Sequence, residues 1–271
     1  MTKSKKKINK SKKKYNFVKK TRKISIFEQN KQNVFIYWNH KMSRSHVGCN
    51  FLDYIKNLTF LCKYAPVTGR TMEGYMKHLF LDLKIKSKKN FLNYFKNKNY
   101  LDMGSGINHL YSKSLLFHLL KKKYKALGMD LYKFPTPQKN FKSGTVFKTN
   151  LKKNNFDIIT SQYFLYYWLD DPKKLLKAFK ELNRILKKGG TLRIYPVYFG
   201  NYHYNNNNLI NYLEDNFNIL VKKPNFFKEK VAYIYPGENI KEIKFTNLSV
   251  PKKEKEDAEN LNACTLILFK K

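Results

Sequence analysis

The chain has 271 residues, enough to bury a substantial core in one domain, and carries 55 Lys and Arg against 19 Asp and Glu, a formal net charge of +36. Its apolar runs are too short to span a bilayer, and three scattered cysteines (Cys49, Cys62 and Cys264) offer no disulfide framework. These bounds argue against a membrane protein or a disulfide-stapled secreted one, and for a soluble intracellular chain, cytoplasmic or nuclear.

Residues 1–26 read as a basic tail. Met1 to Lys23 hold twelve Lys or Arg and no acid, so the segment cannot bury a core and is expected to be disordered. It lacks the apolar stretch of a secretory signal. It reads as a nuclear-localisation-like tail, a tether for nonspecific nucleic-acid contact, or simply a solvated end. The excess charge is spread over the whole chain, and only five cations are arginine: Arg22, Arg44, Arg70, Arg184 and Arg193. Lysine and asparagine usage of this kind points to an A/T-rich genome such as that of a giant virus, the host cell then being the location. It raises charge without supplying the arginine forks used for specific readout. Attraction to polyanions at low salt is still expected.

Residues 27–98 read as a helical lead-in or lid. Tyr64 to Arg70 is a turn, and the stretch holding Met72, Tyr75, Met76, Leu79 and Phe80 is helical. The segment Asn99-Tyr100-Leu101-Asp102-Met103-Gly104-Ser105-Gly106 then ends an apolar strand in an acid and two spaced glycines. In an α/β sheet this places a tight turn and a ligand site at the strand's carboxyl end. A helix with Ser112 as its N-cap follows, and then Lys125 to Asp130, a second short strand ending in an acid. Asp130 is placed to grip a nucleoside ribose, or merely to cap a turn.

Phe156 to Gln162 reads as a buried strand. A helix opens at Asp171-Pro172 and carries Leu175, Leu176, Phe179, Leu182, Ile185 and Leu186 at the helical period. It is expected to end at Lys187-Lys188 with Gly189-Gly190 as its cap. Thr191 to Val197 is the next strand, Leu209 to Asn216 a short helix and Asn218 to Lys222 a strand. An excursion at about 224–262 precedes a last strand near Ala263 to Phe269.

Leu-Asp-Met-Gly-Ser-Gly, Gly-Met-Asp, Phe-Asp-Ile-Ile-Thr-Ser-Gln and Arg-Ile-Leu-Lys-Lys-Gly-Gly-Thr-Leu-Arg-Ile, in this order, resemble a class I S-adenosylmethionine-dependent methyltransferase. The resemblance runs from about Asn99 to Val197 within a core of residues 99–271. It implies an α/β, Rossmann-like three-layer sandwich with a mostly parallel seven-stranded sheet, an antiparallel last strand and the order 3-2-1-4-5-7-6. It further implies S-adenosyl-L-methionine as cofactor, with Asp102 near its methionine end and Gly104, Ser105 and Gly106 as the loop beneath it. Asp130 would accept from the ribose hydroxyls. Asn150 and Leu151, following a strand at Thr145 to Thr149, would lie beside the adenine, and Ser161, Gln162 and Tyr163 would face the sulfonium. In the family, segments before the first motif often help to bind the cofactor carboxylate, which makes Arg70, Tyr75 and His78 candidates here.

Two departures stand out. The loop's third glycine is replaced around Asn108. Pro135 and Pro137 leave the usual helix between the second and third strands short or missing.

Displacement at a sulfonium carbon needs alignment more than a general base, so no catalytic residue is implied. His109, Tyr163 and Tyr166 are weak candidates. The aromatic run Tyr163 to Trp168 reads as core packing and lid, or as a stacking platform for the acceptor. No Asn/Asp-Pro-Pro-aromatic motif and no Pro-Cys motif ends the fourth strand, which argues against amino-group methylation of adenine or glutamine and against cytosine C5 chemistry. His40, His46, His78, His118 and His203 lack ligand spacing, so no metal is expected. The methyl acceptor and the oligomeric state have no sequence signal. Three other readings remain: a dinucleotide-dependent oxidoreductase, a non-catalytic module that binds nucleic acid through its lysines, and a spermidine-synthase-like use of the fold.

Overall fold

The computed structural model describes residues 67–131, 134, 137–165, 172–197, 207–224, 230–234, 244–247 and 264–271. The basic tail, the lead-in up to residue 66, Asp171, most of the excursion, His203 and Tyr166 to Trp168 lie outside the described residues, as do His40, His46, Cys49 and Cys62.

Seven strands form the main sheet: β2 (Tyr100–Met103), β3 (Ala126–Asp130), β4 (Phe141–Ser143), β5 (Phe156–Gln162), β6 (Leu186–Val197), β7 (Phe217–Lys222) and β10 (Cys264–Lys270). Their order is β4-β3-β2-β5-β6-β10-β7. Numbered within the sheet, this is the 3-2-1-4-5-7-6 order expected. Along the run β4-β3-β2-β5-β6 each strand is parallel to its neighbour, and β10 runs antiparallel to both β6 and β7. The fold is the expected Rossmann-like three-layer α/β sandwich. The order reverses at β2, which lies between β3 and β5, and open α/β sheets form ligand crevices at such a switch point.

Both faces of the sheet are covered. One face packs against α4 (Pro172–Ile185) and α5 (Asn207–Asn216), the other against α1 (Met72–His78), α2 (Lys88–Asn93) and α3 (Leu115–Lys121). On α4, Leu175, Ala178, Phe179, Leu182 and Ile185 are fully buried. Each of the larger ones contributes roughly 1.5–3 kcal/mol of apolar burial. The period of two along the strands puts Tyr100 and Ile158 in the α1–α3 cluster and Leu101, Met103 and Ile159 in the opposite one. Asp102 and Thr160 share the face of Tyr100 and Ile158 by the same alternation.

Several local expectations are corrected. Helix α3 is capped by Ser114, not Ser112, because Ser114 Oγ accepts the Phe117 amide at 3.0 Å. The third parallel strand is Phe141–Ser143 instead of Thr145 to Thr149. There the chain turns, and Thr145 Oγ1 takes the Phe147 amide at 3.3 Å, a local bond that competes with a strand ladder. Helix α4 stops at Ile185, since the carbonyls of Arg184 and Ile185 accept from the amides of Asn154 and Asn155 and β6 begins at Leu186. Lys187 pairs with Asp157 at 2.8 Å instead of closing the helix.

The expected turn at Tyr64 to Arg70 contains β1 (Val67–Arg70), which pairs antiparallel with β8 (Lys230–Ile234). Strand β9 (Lys244–Asn247) completes this second, three-stranded sheet. The lead-in and the excursion thus meet in one sheet. No described helix is long and apolar enough to cross a membrane.

Candidate active site

Strand β2 ends at Met103, and the chain turns through Gly104 at φ +73° and Gly106 at φ +49°. Both angles lie in the left-handed region, so the two glycines are required by the backbone itself. The Gly104 and Ser105 amides both donate to the Met129 carbonyl, at 2.8 and 3.1 Å. The Gly106 amide donates to Asp130 Oδ2 at 2.8 Å. The acid ending β3 therefore holds the loop that follows β2, at adjacent carboxyl ends of the sheet.

Ser105 does not face outwards. It is 1% exposed, and a Cβ on Gly128 would come within 2.7 Å of its Oγ, so the hydroxyl nests against β3. Phe164 lies on the other side of the loop: a Cβ on Gly104 would be 2.5 Å from its Cγ.

Asp102 is fully buried and its carboxylate accepts three side-chain bonds. Tyr75 Oη donates to Oδ1 at 2.7 Å, Thr160 Oγ1 to Oδ1 at 3.0 Å and Asn108 Nδ2 to Oδ2 at 2.6 Å. Burial raises its pKa to about 6 against the opposing pull of those three bonds. No carboxylate surface is open to a ligand in this arrangement.

At the carboxyl end of β5, Ser161 is buried, and its Oγ accepts the Leu165 amide at 3.2 Å. Gln162 Nε2 lies 3.0 Å from His78 Nδ1. His78 stacks on Tyr195 of β6 at 4.3 Å and meets Tyr163 edge-on at 6.4 Å. Burial, with Arg70 and Lys77 nearby, lowers its pKa to about 3, so it stays neutral. Tyr163 adopts φ +53°, costly for a side chain of its size, with its amide on the Tyr195 carbonyl at 2.6 Å. The Arg70 guanidinium lies over the Tyr163 ring, 4.5 Å from its centroid, and Arg70 Nη1 is buried without a hydrogen-bond partner among the described residues.

Asn150 (φ +52°) is exposed and Leu151 partly buried. Both sit in a loop clamped by α4. Glu181 Oε1 accepts from the Thr149 amide and hydroxyl at 2.8 and 2.5 Å, and Arg184 Nη2 donates to the Leu151 carbonyl at 2.8 Å.

His109 is not brought to the β5 end. It packs between Phe134 and Phe141, the latter on β4, three strands away from β5 in the sheet. Neither ring nitrogen has a hydrogen-bond partner among the described residues, and burial lowers its pKa to about 4. The imidazole is therefore held neutral in an aromatic surround at the β4 side of the sheet. Among the described residues no group of three His, Cys, Asp or Glu could hold a metal ion.

The structure adds Asn108, Thr160 and Tyr195 to the cluster. Only the i, i+3 spacing of Tyr75 and His78 on α1 could have placed those two on one buried face. Asn108 had no signal beyond occupying a glycine position.

Residues 101–194 match the family model described as a methyltransferase domain. Solved structures similar to the chain include an S-adenosylmethionine-dependent methyltransferase from Archaeoglobus fulgidus, at 16% identity and TM-score 0.41, covering 68% of this chain and 90% of that one. A possible histamine N-methyltransferase from Thermotoga maritima is 14% identical with TM-score 0.36, covering 82% and 96%. The N-methyltransferase NodS from Bradyrhizobium japonicum, solved with S-adenosyl-L-homocysteine, is 13% identical with TM-score 0.35, covering 68% and 86%. No curated protein matches the chain. The similarity to a methyltransferase domain thus spans β2 to β6, the strands around the glycine turn.

Proposed function

We propose that the protein transfers a methyl group from S-adenosyl-L-methionine to an acceptor presented at the carboxyl ends of β2 and β5. The observation that carries this reading is the Asp130–Gly106 bond, which joins the glycine turn after β2 to the acid ending β3. The residues fit the cofactor: two glycines require positive φ, a carboxylate stands at the neighbouring strand end, and a buried guanidinium nitrogen lacks a hydrogen-bond partner among the described residues.

In this reading Asp130 accepts from the ribose hydroxyls while continuing to hold Gly106. Asn150 and Leu151 flank the adenine. Arg70 Nη1 donates to the carboxylate at the methionine end, and Ser161, Gln162 and Tyr163 border the sulfonium. Asp102 acts through Tyr75 and Asn108 instead of by direct contact. Phe164 leaves the face of Gly104 when the loop takes its ligand. The bound cofactor supplies a methyl carbon already activated by its positive sulfur. The protein's task is to orient the acceptor in line and exclude water, work done by alignment and shaped electrostatics.

The test is calorimetric titration with S-adenosylmethionine and S-adenosylhomocysteine, with NAD as the control. Micromolar binding of the first two and none of NAD is expected. Binding of NAD alone would turn the reading to an oxidoreductase. No binding of any, with salt-sensitive RNA binding, would leave a methyltransferase-shaped nucleic-acid module.

A further inference from the structure

Asn108 stands where the glycine loop commonly has a third glycine, and it is 1% exposed. Every polar atom it owns is used. Its amide donates to the Ser105 carbonyl at 3.0 Å, and its carbonyl accepts from Ser114 Oγ. Oδ1 accepts the Arg70 backbone amide at 2.6 Å. Nδ2 donates to Asp102 Oδ2 at 2.6 Å and to Tyr75 Oη at 2.9 Å. The side-chain orientation is unambiguous, because a backbone N–H can only donate and must meet the amide oxygen. The Tyr75 hydroxyl then passes its own hydrogen to Asp102 Oδ1, closing a ring of three side chains.

Packing follows the same line. A Cβ on Gly69 would be 3.0 Å from Ile107 Cγ1 and 3.1 Å from Tyr111 Cδ1, so β1 lies directly on the loop. The Met72 amide donates to the Lys113 carbonyl at 2.8 Å. Between those two contacts, the Asn108 side chain grips the Arg70 backbone. A glycine there would leave the Arg70 amide, the Tyr75 hydroxyl and one Asp102 oxygen each short of a partner.

We propose that Asn108 is a positioning residue: it ties the β1–α1 segment to the glycine loop and so sets Arg70 at the methionine end of the cofactor site. The proposal rests on the methyltransferase reading given above.

A double-mutant cycle tests it, with S-adenosylhomocysteine affinity measured by calorimetry in the full-length wild type, Asn108→Ala, Arg70→Ala and the double variant. Thermal melting confirms that each is folded. Asn108→Ala is expected to weaken binding roughly tenfold, the scale for a hydrogen bond to a charged group, and the double variant to bind no more weakly than Arg70→Ala. Should Asn108→Ala fail to fold, Asn108→Ser takes its place in the same cycle, since its shorter side chain cannot span to Arg70. A role confined to stability would lower the melting temperature while leaving affinity unchanged, or give losses that multiply. Either result overturns the proposal for Asn108 alone. Absence of binding by the wild type would instead overturn the reading on which it rests.

Discussion

Asp130 Oδ2 accepts the Gly106 amide at 2.8 Å, so the acid that ends one strand is also the clamp on the turn that follows its neighbour. Loss of this carboxylate frees the loop and, on the proposed reading, also removes an acceptor for the ribose hydroxyls. Asp130→Ala should therefore weaken S-adenosylhomocysteine binding by roughly 1.5–3 kcal/mol, the scale for hydrogen bonds to a charged group. Unchanged affinity in a folded variant would take Asp130 out of the site.

Gly104 combines φ +73° with an aromatic ring against its Cα. Gly104→Ala should cost about 1–3 kcal/mol, from backbone strain and from the clash with Phe164. Adding Phe164→Ala to that variant should recover the steric part and leave the backbone part. Denaturant unfolding of the four proteins separates the two, and strictly additive losses would mean that Phe164 is not what the new methyl meets.

Asp102 carries a pH signature. Its folded pKa of about 6 lies above the ordinary 3.8, so the native state holds a proton that the unfolded chain has already released. Stability from this group is present below about pH 4 and is lost as pH rises through 6. The wild type should thus lose on the order of 3 kcal/mol relative to Asp102→Asn between those limits. A constant difference across unfolding curves from pH 4 to 7 would contradict it.

Glu181 has the opposite sign. The Arg184 hydrogen bonds beside it, followed by those from Thr149, hold its pKa near 2, below the ordinary 4.5. Its contribution is full above pH 4.5 and disappears as pH falls towards 2. Glu181→Gln should flatten that acid limb. Because Glu181 clamps the 149–151 loop, the same variant should also weaken binding of the adenosine half of the cofactor, measurable with adenosine as the titrant.

Arg193 is 1% exposed and forks onto Asp82, with contacts of 2.6 and 3.0 Å, while Nη1 also donates to the Leu79 carbonyl at 2.9 Å. Asp82→Ala leaves that charge buried and unpaired, which should cost about 3–5 kcal/mol. Combining it with Arg193→Leu should be less damaging than Asp82→Ala alone. Equal or greater damage in the double variant, by thermal melting, would show that the pair itself is the stabilising element.

Short-range pattern determined much of the architecture. The strand ending in Asp102, the two glycines, the second acid at Asp130 and the apolar stripe on α4 are all set by spacings within a few residues, and they fold as their periodicity demands. The strand order came with the family resemblance those motifs carry. Element ends were less legible: the Ser114 cap, the stop at Ile185 and the turn at Thr145 depend on which nearby donor wins a carbonyl or hydroxyl. Tertiary structure alone decided the pairing of Val67 with Ile234 and of Arg193 with Asp82, 111 residues apart, and the ring joining Tyr75, Asn108 and Asp102. Such contacts are chosen by which buried polar groups can satisfy one another once the helices have packed on the sheet, and no local spacing encodes that choice.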